Sequence, residues 1–381
     1  MTQKKVLVLG AGLVGKAIAI DLSKKYDVAC ADMQMCALET LSPRHPITVI
    51  PCDFKDRQSL TAIVREYDLI IGAVPGHLGY RVLETVIRAG KSIVDISFFP
   101  EDPFSLHELA LAGKVTAVVD CGVAPGLCNL LAGHHHQKTP LRSYECLVGG
   151  LPVKPEWPFH YKAGFSPADV LEEYTRPARM REDGKLVTRE ALSGVEPLVF
   201  DEVGELEAFN TDGLRTLLTT MESVPDMKEK TLRFPGHAEL MRVFRESGFL
   251  NNQPVEIKGV TISPVEFTAR LLFPLWKLRP GEEEFTLMRV TLETGDERIR
   301  YTLFDRYDKQ TGVTSMARTT GYTCAAVADL ILQGKLTRCG ILAPEQFGAD
   351  EHLFHAVMEY LAGRNILCKK ENIRKKKLAE A

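Results

Sequence analysis

The sequence predicts a doubly wound α/β domain followed by a second, α+β domain built on a mostly antiparallel sheet, and three observations carry that reading. At 381 residues the chain exceeds the roughly 250 to 300 residues at which single cores stop growing. From Lys5 to about Val123, short β-rich runs alternate with amphipathic helical stretches, the rhythm of a parallel sheet covered on both faces. Around Pro125 that rhythm gives way to antiparallel-type strands.

In the first domain the predicted strands are Val6–Leu9, Val28–Ala31, Thr48–Ile50, Leu69–Val74, Ser92–Ile96 and Val115–Val119, with a helix over Lys16–Ser23. In the second they are Tyr144–Val148, Leu232–Phe234, Phe285–Leu292 and Ile299–Phe304, with a helix after Ser263-Pro264. The run Ser315–Gln333 reads as one long helix, with Val327, Leu330 and Ile331 on its later face, that returns to the first domain. The expected division is therefore 1–124, 125–314 and a returning segment, 315–381. Lys369–Ala381 is rich in lysine and reads as a solvated tail. No internal repeat or low-complexity segment is present.

Composition excludes several functions. Lys and Arg number 47 against 50 Asp and Glu, a net charge of −3 that recruits neither nucleic acid nor anionic membrane. Met1 to Lys5 runs straight into a strand pattern, and no stretch reaches the roughly 20 apolar residues of a spanning helix, so a cytoplasmic location is expected. Nine cysteines, with no CxxC pair, indicate buried reduced thiols rather than a disulfide framework. His134-His135-His136 invites a metal reading, but successive helical side chains point about 100° apart and do not converge on one ion. No metal is expected. Cys121 has no activating base beside it in sequence and is read as packing.

Gly10-Ala11-Gly12-Leu13-Val14-Gly15 directly follows the first strand and opens a helix, the context in which a GxGxxG run binds a dinucleotide. Gly10 allows the tight turn, Gly12 lets the backbone approach a pyrophosphate and Gly15 brings helix and strand close, while the helix N-terminus offers its N–H groups. Asp32, twenty residues after Gly12, ends the second strand where a carboxylate accepts from the adenosine ribose and repels a 2′-phosphate. Met33-Gln34-Met35 follow it without an arginine, so NAD is favoured over NADP. Asp53, with Phe54 behind it, is placed to border the adenine, or else caps the helix near Ser59. Ala73-Val74-Pro75 and Asp95-Ile96-Ser97 end the next two strands and are the expected walls of the nicotinamide site.

With these motifs stand Asp120-Cys121-Gly122-Val123-Ala124-Pro125-Gly126, Val148-Gly149-Gly150-Leu151-Pro152, Glu207-Ala208-Phe209, Thr231-Leu232-Arg233-Phe234-Pro235-Gly236-His237, Met316-Ala317-Arg318-Thr319-Thr320-Gly321-Tyr322-Thr323 and Pro344-Glu345-Gln346. Taken together they resemble the saccharopine dehydrogenase-like oxidoreductases over most of the chain, and most closely the lysine 6-dehydrogenase branch. Saccharopine-forming reductases of that family carry an aspartate where this chain has Ala124. Near Phe209-Asn210-Thr211-Asp212 they carry a carboxylate-holding arginine, where the matching position here is Thr211; Arg215, four residues on, restores the charge if the loop is shifted. Loss of a guanidinium removes a bidentate carboxylate partner.

The resemblance therefore implies NAD-dependent oxidative deamination of the side-chain amine of lysine, or a close relative, to the 6-semialdehyde with release of ammonia. A reductase that condenses an amine with an aldehyde, as in saccharopine or carboxynorspermidine formation, is the alternative, and a non-catalytic NAD-binding protein is a third reading. The resemblance also implies a homodimer or higher homo-oligomer, because the family's second domain commonly pairs its sheet with another subunit.

Amine oxidation needs a neutral amine and a route for its proton. His237 is the first candidate for proton transfer or substrate binding, against the reading of a structural histidine. Tyr161 and Glu156 are further candidates, or line the domain junction. Arg233 holds the α-carboxylate by the resemblance, or forms an inter-strand ion pair. Ser97 and Phe98 sit where the family contacts substrate; Thr319 and Thr320, at a helix start, cap that helix or bind substrate.

Overall fold

The computed structural model describes residues 3–41, 45–279 and 281–374. The chain divides into two compact units, one of Met1–His134 with Met316–Ile366, the other of His135–Ser315 with Leu367–Ala381. Both sheets of the predicted architecture are present. No helix among the described residues is long and apolar enough to cross a membrane.

The first unit holds a seven-stranded parallel sheet. Its strands are β1 (Lys5–Leu9), β2 (Asp27–Asp32), β3 (Ile47–Pro51), β4 (Leu69–Gly72), β5 (Ser92–Asp95), β6 (Thr116–Val118) and, from far along the chain, β17 (Gly340–Leu342). Their order is β17-β6-β5-β4-β1-β2-β3. Val6 to Leu9 and Leu69 to Gly72 are buried without alternation because helices cover both faces of a parallel sheet. The chain winds one way from β1 through β2 to β3 and then the other way from β4, so the loops after β1 and β4 diverge and leave a crevice at their carboxyl ends. β17 was not legible as a strand, since Gly-Ile-Leu is too short to show a period. It pairs beside β6, with Ile341 opposite Ala117.

Two boundaries differ from expectation. The helix Leu127–Lys138 begins in the first unit, not the second, because Leu127, Leu130, Leu131 and Ala132 are buried there. Gly133 lies so close to the Glu345 backbone that a Cβ would stand 2.0 Å from its carbonyl oxygen. At the other end, the expected solvated tail is in part a strand: β18 (Cys368–Arg374) pairs antiparallel in the second unit's sheet. Lysine suits such a terminal edge strand, where charge discourages further pairing. Residues 375–381 lie outside the described residues.

The second unit holds a nine-stranded mixed sheet. Its strands are β7 (Ser143–Pro152), β8 (Ala178–Glu182), β9 (Lys185–Arg189), β10 (Glu196–Phe200), β11 (Gly204–Asn210), β12 (Asp226–Arg233), β15 (Glu284–Glu293), β16 (Glu297–Arg306) and β18. The main path runs β10-β11-β12-β7-β15-β16-β18, with β8 and β9 branching from β12. β12 and β7 are parallel; the other pairs are antiparallel. Leu147, Leu151, Leu206, Leu232 and Leu287 build its core with Phe159, Tyr174 and Trp276 from the connecting loop and helices. A separate hairpin, β13 (Val255–Ile257) and β14 (Val260–Ile262), precedes the helix Pro264–Trp276.

Candidate functional site

In the first unit the Gly-rich loop forms the predicted turn. Gly10 has φ +112°, and a Cβ on it would stand 2.2 Å from the Ala73 carbonyl oxygen; a Cβ on Gly15 would stand 2.0 Å from that of Gly10. These approaches hold the β1 loop, the β4 loop and the helix Leu13–Leu22 together. Gly12 is different, because a Cβ there would meet nothing within 4 Å. It is the helix N-cap and supplies no side-chain cap, so the open space lies where the helix presents N–H groups and its positive dipole end. That arrangement fits a pyrophosphate.

Asp32 sits at the end of β2 with Oδ2 accepting from Ala11 N at 2.7 Å and Oδ1 from Gln34 N at 2.8 Å. Leu13 is exposed beside the loop while Ala11 and Val14 are buried under it. Asp53 is exposed and accepts from Lys55 N; the cap of the next helix is Asp56, which accepts from Gln58 N and Ser59 N. The capping alternative for Asp53 is thus corrected, for Asp56 stands at the N-cap itself. Phe54 is buried in the core of this unit. Val74 is buried, with Ala73 and Pro75 partly exposed at the end of β4. Ser97 is buried, its N–H and hydroxyl both donating to Asp95, while Phe98 is partly exposed. Thr319 and Thr320 lie in the second turn of the helix Ser315–Leu332, so neither caps it. Thr320 packs on Gly122, whose Cβ would stand 3.1 Å from its methyl group. Burial pushes the Cys121 thiol far up, which leaves it a packing group.

In the second unit a buried polar cluster gathers Tyr161, Glu173, Tyr174, Arg233 and His237. Arg233, 2% exposed, ends β12; its Nη2 donates to Glu173 Oε2 at 2.7 Å, its Nη1 to the Leu232 carbonyl and its Nε to the Tyr174 hydroxyl at 3.3 Å. Its guanidinium carbon lies 4.4 Å from the Tyr161 ring centre. The two Arg233 readings are therefore resolved in part: an ion pair exists, to Glu173 on the helix Pro167–Thr175 rather than across strands.

His237 opens the helix His237–Glu246 after Gly236, whose φ of +90° suits glycine. Because Gly236 has no capping side chain, Glu207 of β11 reaches across and accepts from both Gly236 N and Ala238 N. This fixes the histidine. Its Nδ1 faces the Phe159 carbonyl at 2.8 Å and its Nε2 the Tyr174 hydroxyl at 2.8 Å, so Nδ1 donates and Nε2 accepts. Burial and the Arg233 charge push His237 down to about 3. The ring is therefore neutral across the neutral pH range, held between two oxygens. Glu156 is exposed, 3.9 Å from Lys162 Nζ, and is not brought into the cluster.

Thr211 is buried and donates to Glu229 Oε2 at 2.6 Å, with the Thr231 hydroxyl at 2.9 Å. Gly213 N also donates to Glu229. Burial pushes the Glu229 carboxyl up to about 8, with the Glu173 and Asp212 charges acting in the same direction. Arg215 is buried nearby in sequence with φ +45°. Sequence reasoning missed Glu173, Tyr174 and Glu229. The signal for Glu229 was the alternation of Glu229, Thr231 and Arg233 on one face of β12, hidden because the strand was expected to start at Leu232. His134, His135 and His136 engage Phe354, Tyr301 and Ser223 separately, and no metal-ligating group of three occurs among the described residues.

Two family models match this chain: one described as the saccharopine dehydrogenase C-terminal domain, over residues 122–366, and one as the saccharopine dehydrogenase NADP binding domain, over residues 6–118. Among curated proteins it is similar to the mitochondrial alpha-aminoadipic semialdehyde synthase of Rattus norvegicus, at 26% identity over 66% of this chain and 29% of that one. It is also similar to the saccharopine dehydrogenase [NADP(+), L-glutamate-forming] of Schizosaccharomyces pombe, at 22% identity over 97% of this chain and 99% of that one. The chain thus spans less than a third of the rat relative's length. Of solved structures, the apo saccharopine dehydrogenase (L-Glu forming) from Saccharomyces cerevisiae has the same fold, with a TM-score of 0.78 and 20% identity over 97% of this chain and 100% of that one.

Proposed function

Since this chain belongs to the saccharopine dehydrogenase family of oxidoreductases, we propose that it passes a hydride between a nicotinamide dinucleotide and the carbon–nitrogen bond of a lysine-derived secondary amine of the saccharopine type. The observation that carries the substrate class is Arg233. Among the described residues three of its five N–H groups are spent on Glu173, Leu232 and Tyr174, and the other two would serve a substrate carboxylate in surroundings that are already desolvated. An amino acid substrate supplies that carboxylate.

When bound, the oxidised nicotinamide supplies the acceptor for a hydride. The substrate carbon loses that hydride, the amine nitrogen loses its proton and an imine forms; water then adds to the carbon, and rupture of the C–N bond gives an aldehyde and a primary amine. Residues of this chain orient and hold. The Gly12 end of the helix Leu13–Leu22 would seat the pyrophosphate. Tyr161 and Tyr174, whose phenols burial pushes up, remain hydrogen-bond donors throughout the neutral range, and His237 keeps Tyr174 in place. Glu229, raised to about 8, is a carboxyl able to take up or give up a proton near neutral pH.

Asp32 supports NAD over NADP although the matching family model and the yeast relative are named for NADP. Its carboxylate is fixed by two backbone N–H groups at the ribose end of β2, where it repels a 2′-phosphate. A second reading, lysine itself with ammonia as the product, is favoured by Thr211, where the resemblance places an arginine in saccharopine-forming reductases. The test is reduced-nucleotide formation at 340 nm with saccharopine and with lysine, each with NAD and NADP, with glutamate and ammonia assayed in the product. Glutamate from saccharopine supports the first reading and ammonia from lysine the second. No turnover with either substrate and either nucleotide overturns both.

A further inference from the structure

The last turn of the helix Leu127–Lys138, the turn between β15 and β16 and the strand β18 line a pocket of about 200 Å³, all of it within the second unit. Its floor is buried and fixed. His135, Thr294 and Ile299 are 7%, 5% and 3% exposed; His135 Nε2 lies 2.8 Å from the Tyr301 hydroxyl, and Thr294 Oγ1 accepts from Glu297 N at 3.0 Å. Its rim is exposed and charged: Lys138 ends the helix, Glu297 opens β16, and Lys370 and Asn372 alternate along β18, opposite Tyr301 and Ile299. This pocket is separate from the Arg233 cluster. Thr231, Val148, Met288 and Leu303 stand opposite one another across four strands, and Ile299 lies four residues beyond Leu303 along β16. At ~4.8 Å between strands and ~3.3 Å per residue, the pocket floor is on the order of 20 Å from Thr231, and Arg233 lies two residues the other way.

We propose that this pocket binds a free acidic amino acid, of the size and charge of glutamate, as a site additional to the one that handles the reacting carbon–nitrogen bond. The volume sets the size. Pockets for drug-sized ligands hold about 300 to 1,000 Å³, so about 200 Å³ suits a smaller molecule. The charges set the kind. An inorganic anion drawn to Lys138 and Lys370 meets the Glu297 carboxylate and the negative end of the helix dipole, while a simple cation meets two ammonium groups. An acidic amino acid answers both: its ammonium group goes to Glu297 and the helix end, one carboxylate to Lys370 and the Asn372 amide, the other to Lys138. Two lysines against one glutamate leave a single positive charge, which matches a ligand of net charge −1. Ile299 gives its methylene groups an apolar floor.

The test is titration calorimetry on the full chain without nucleotide, so that no turnover enters. The probes are L-glutamate, glutarate, which lacks the ammonium group, and inorganic phosphate. L-Glutamate binds the wild type, and Lys370→Met and Lys138→Met each weaken that binding at least tenfold at unchanged far-ultraviolet circular dichroism. Arg233→Lys retains it, which separates this pocket from the Arg233 cluster. Glutarate binds the wild type at least tenfold more weakly than L-glutamate, and Glu297→Gln brings the two within about threefold of each other. The proposal is overturned if millimolar L-glutamate gives no heat of binding, or if both lysine variants bind it as the wild type does. It is equally overturned if Arg233→Lys abolishes the binding, or if glutarate or phosphate binds the wild type as tightly as L-glutamate.

Discussion

The imidazole of His237 is clamped between two oxygens, its Nε2 2.8 Å from the Tyr174 hydroxyl and its Nδ1 2.8 Å from the Phe159 carbonyl. With burial and Arg233 holding it near 3, the folded chain prefers the neutral ring while the unfolded chain takes a proton around pH 6.5. Stability contributed by this group is therefore complete above about pH 6.5 and lost as pH falls toward 3. Between pH 7 and pH 4.5 the loss amounts to roughly 2–3 kcal/mol at 1.36 kcal/mol per unit. In urea melts, His237→Phe shows a shallower decline over that window than wild type. An equal decline in both contradicts the assignment.

Glu229 works in the opposite direction. Its folded value near 8 lies above the ordinary carboxylate value, so the folded chain favours the protonated form. Its contribution is intact below about pH 4.5 and is lost as pH rises through about 8. Glu229→Gln, which keeps an acceptor for Thr211, gains stability relative to wild type between pH 5 and pH 8 by up to a few kcal/mol. Thermal melts across that range check the sign, and a constant difference refutes it. If Glu229 handles the substrate proton, the same variant also removes the limb near pH 8 from the rate profile.

These two residues mark the limit of what the sequence disclosed. His237 was found because it sits in a distinctive segment, but its low titration was not, since neither its burial nor the Arg233 charge beside it is visible in sequence. Glu229 was missed because the strand was expected to start at Leu232, and because the alternating polar residues of β12 face a buried side, where apolar ones are expected. The nucleotide end was legible in detail. The turn at Gly10, the helix after Gly12 and the carboxylate at Asp32 are local features set by chain geometry, whereas the Arg233 cluster draws on three separated segments.

Arg233 and Glu173 form an ion pair that is not easily dismantled from one side. Arg233→Ala leaves the partly buried Glu173 without its cation and costs about 3–5 kcal/mol in denaturant melts. Arg233→Lys keeps the charge but not the forked donors, and recovers part of the stability while raising KM for the amino acid substrate at least tenfold. A KM unchanged in Arg233→Lys, with kcat also unchanged, removes Arg233 from the substrate site.

The proposed preference for NAD rests on Asp32. Asp32→Ser with Met33→Arg removes the anion and adds a phosphate partner, and shifts the ratio of kcat/KM for NAD over NADP by at least a hundredfold toward NADP. Gly15→Ala serves as the control for the turn: a Cβ 2.0 Å from the Gly10 carbonyl abolishes binding of both nucleotides in titration calorimetry. A wild type that already prefers NADP refutes the reading of Asp32.

The most direct measurement follows the hydride itself. Saccharopine and lysine carrying two deuterium atoms at the side-chain carbon that bears nitrogen are incubated with the chain and NAD, and the reduced nucleotide is weighed by mass spectrometry. Oxidation at that carbon–nitrogen bond predicts reduced nucleotide one mass unit heavier than that from unlabelled substrate, with saccharopine as the better donor. Reduced nucleotide of unlabelled mass, or none from either substrate, contradicts it.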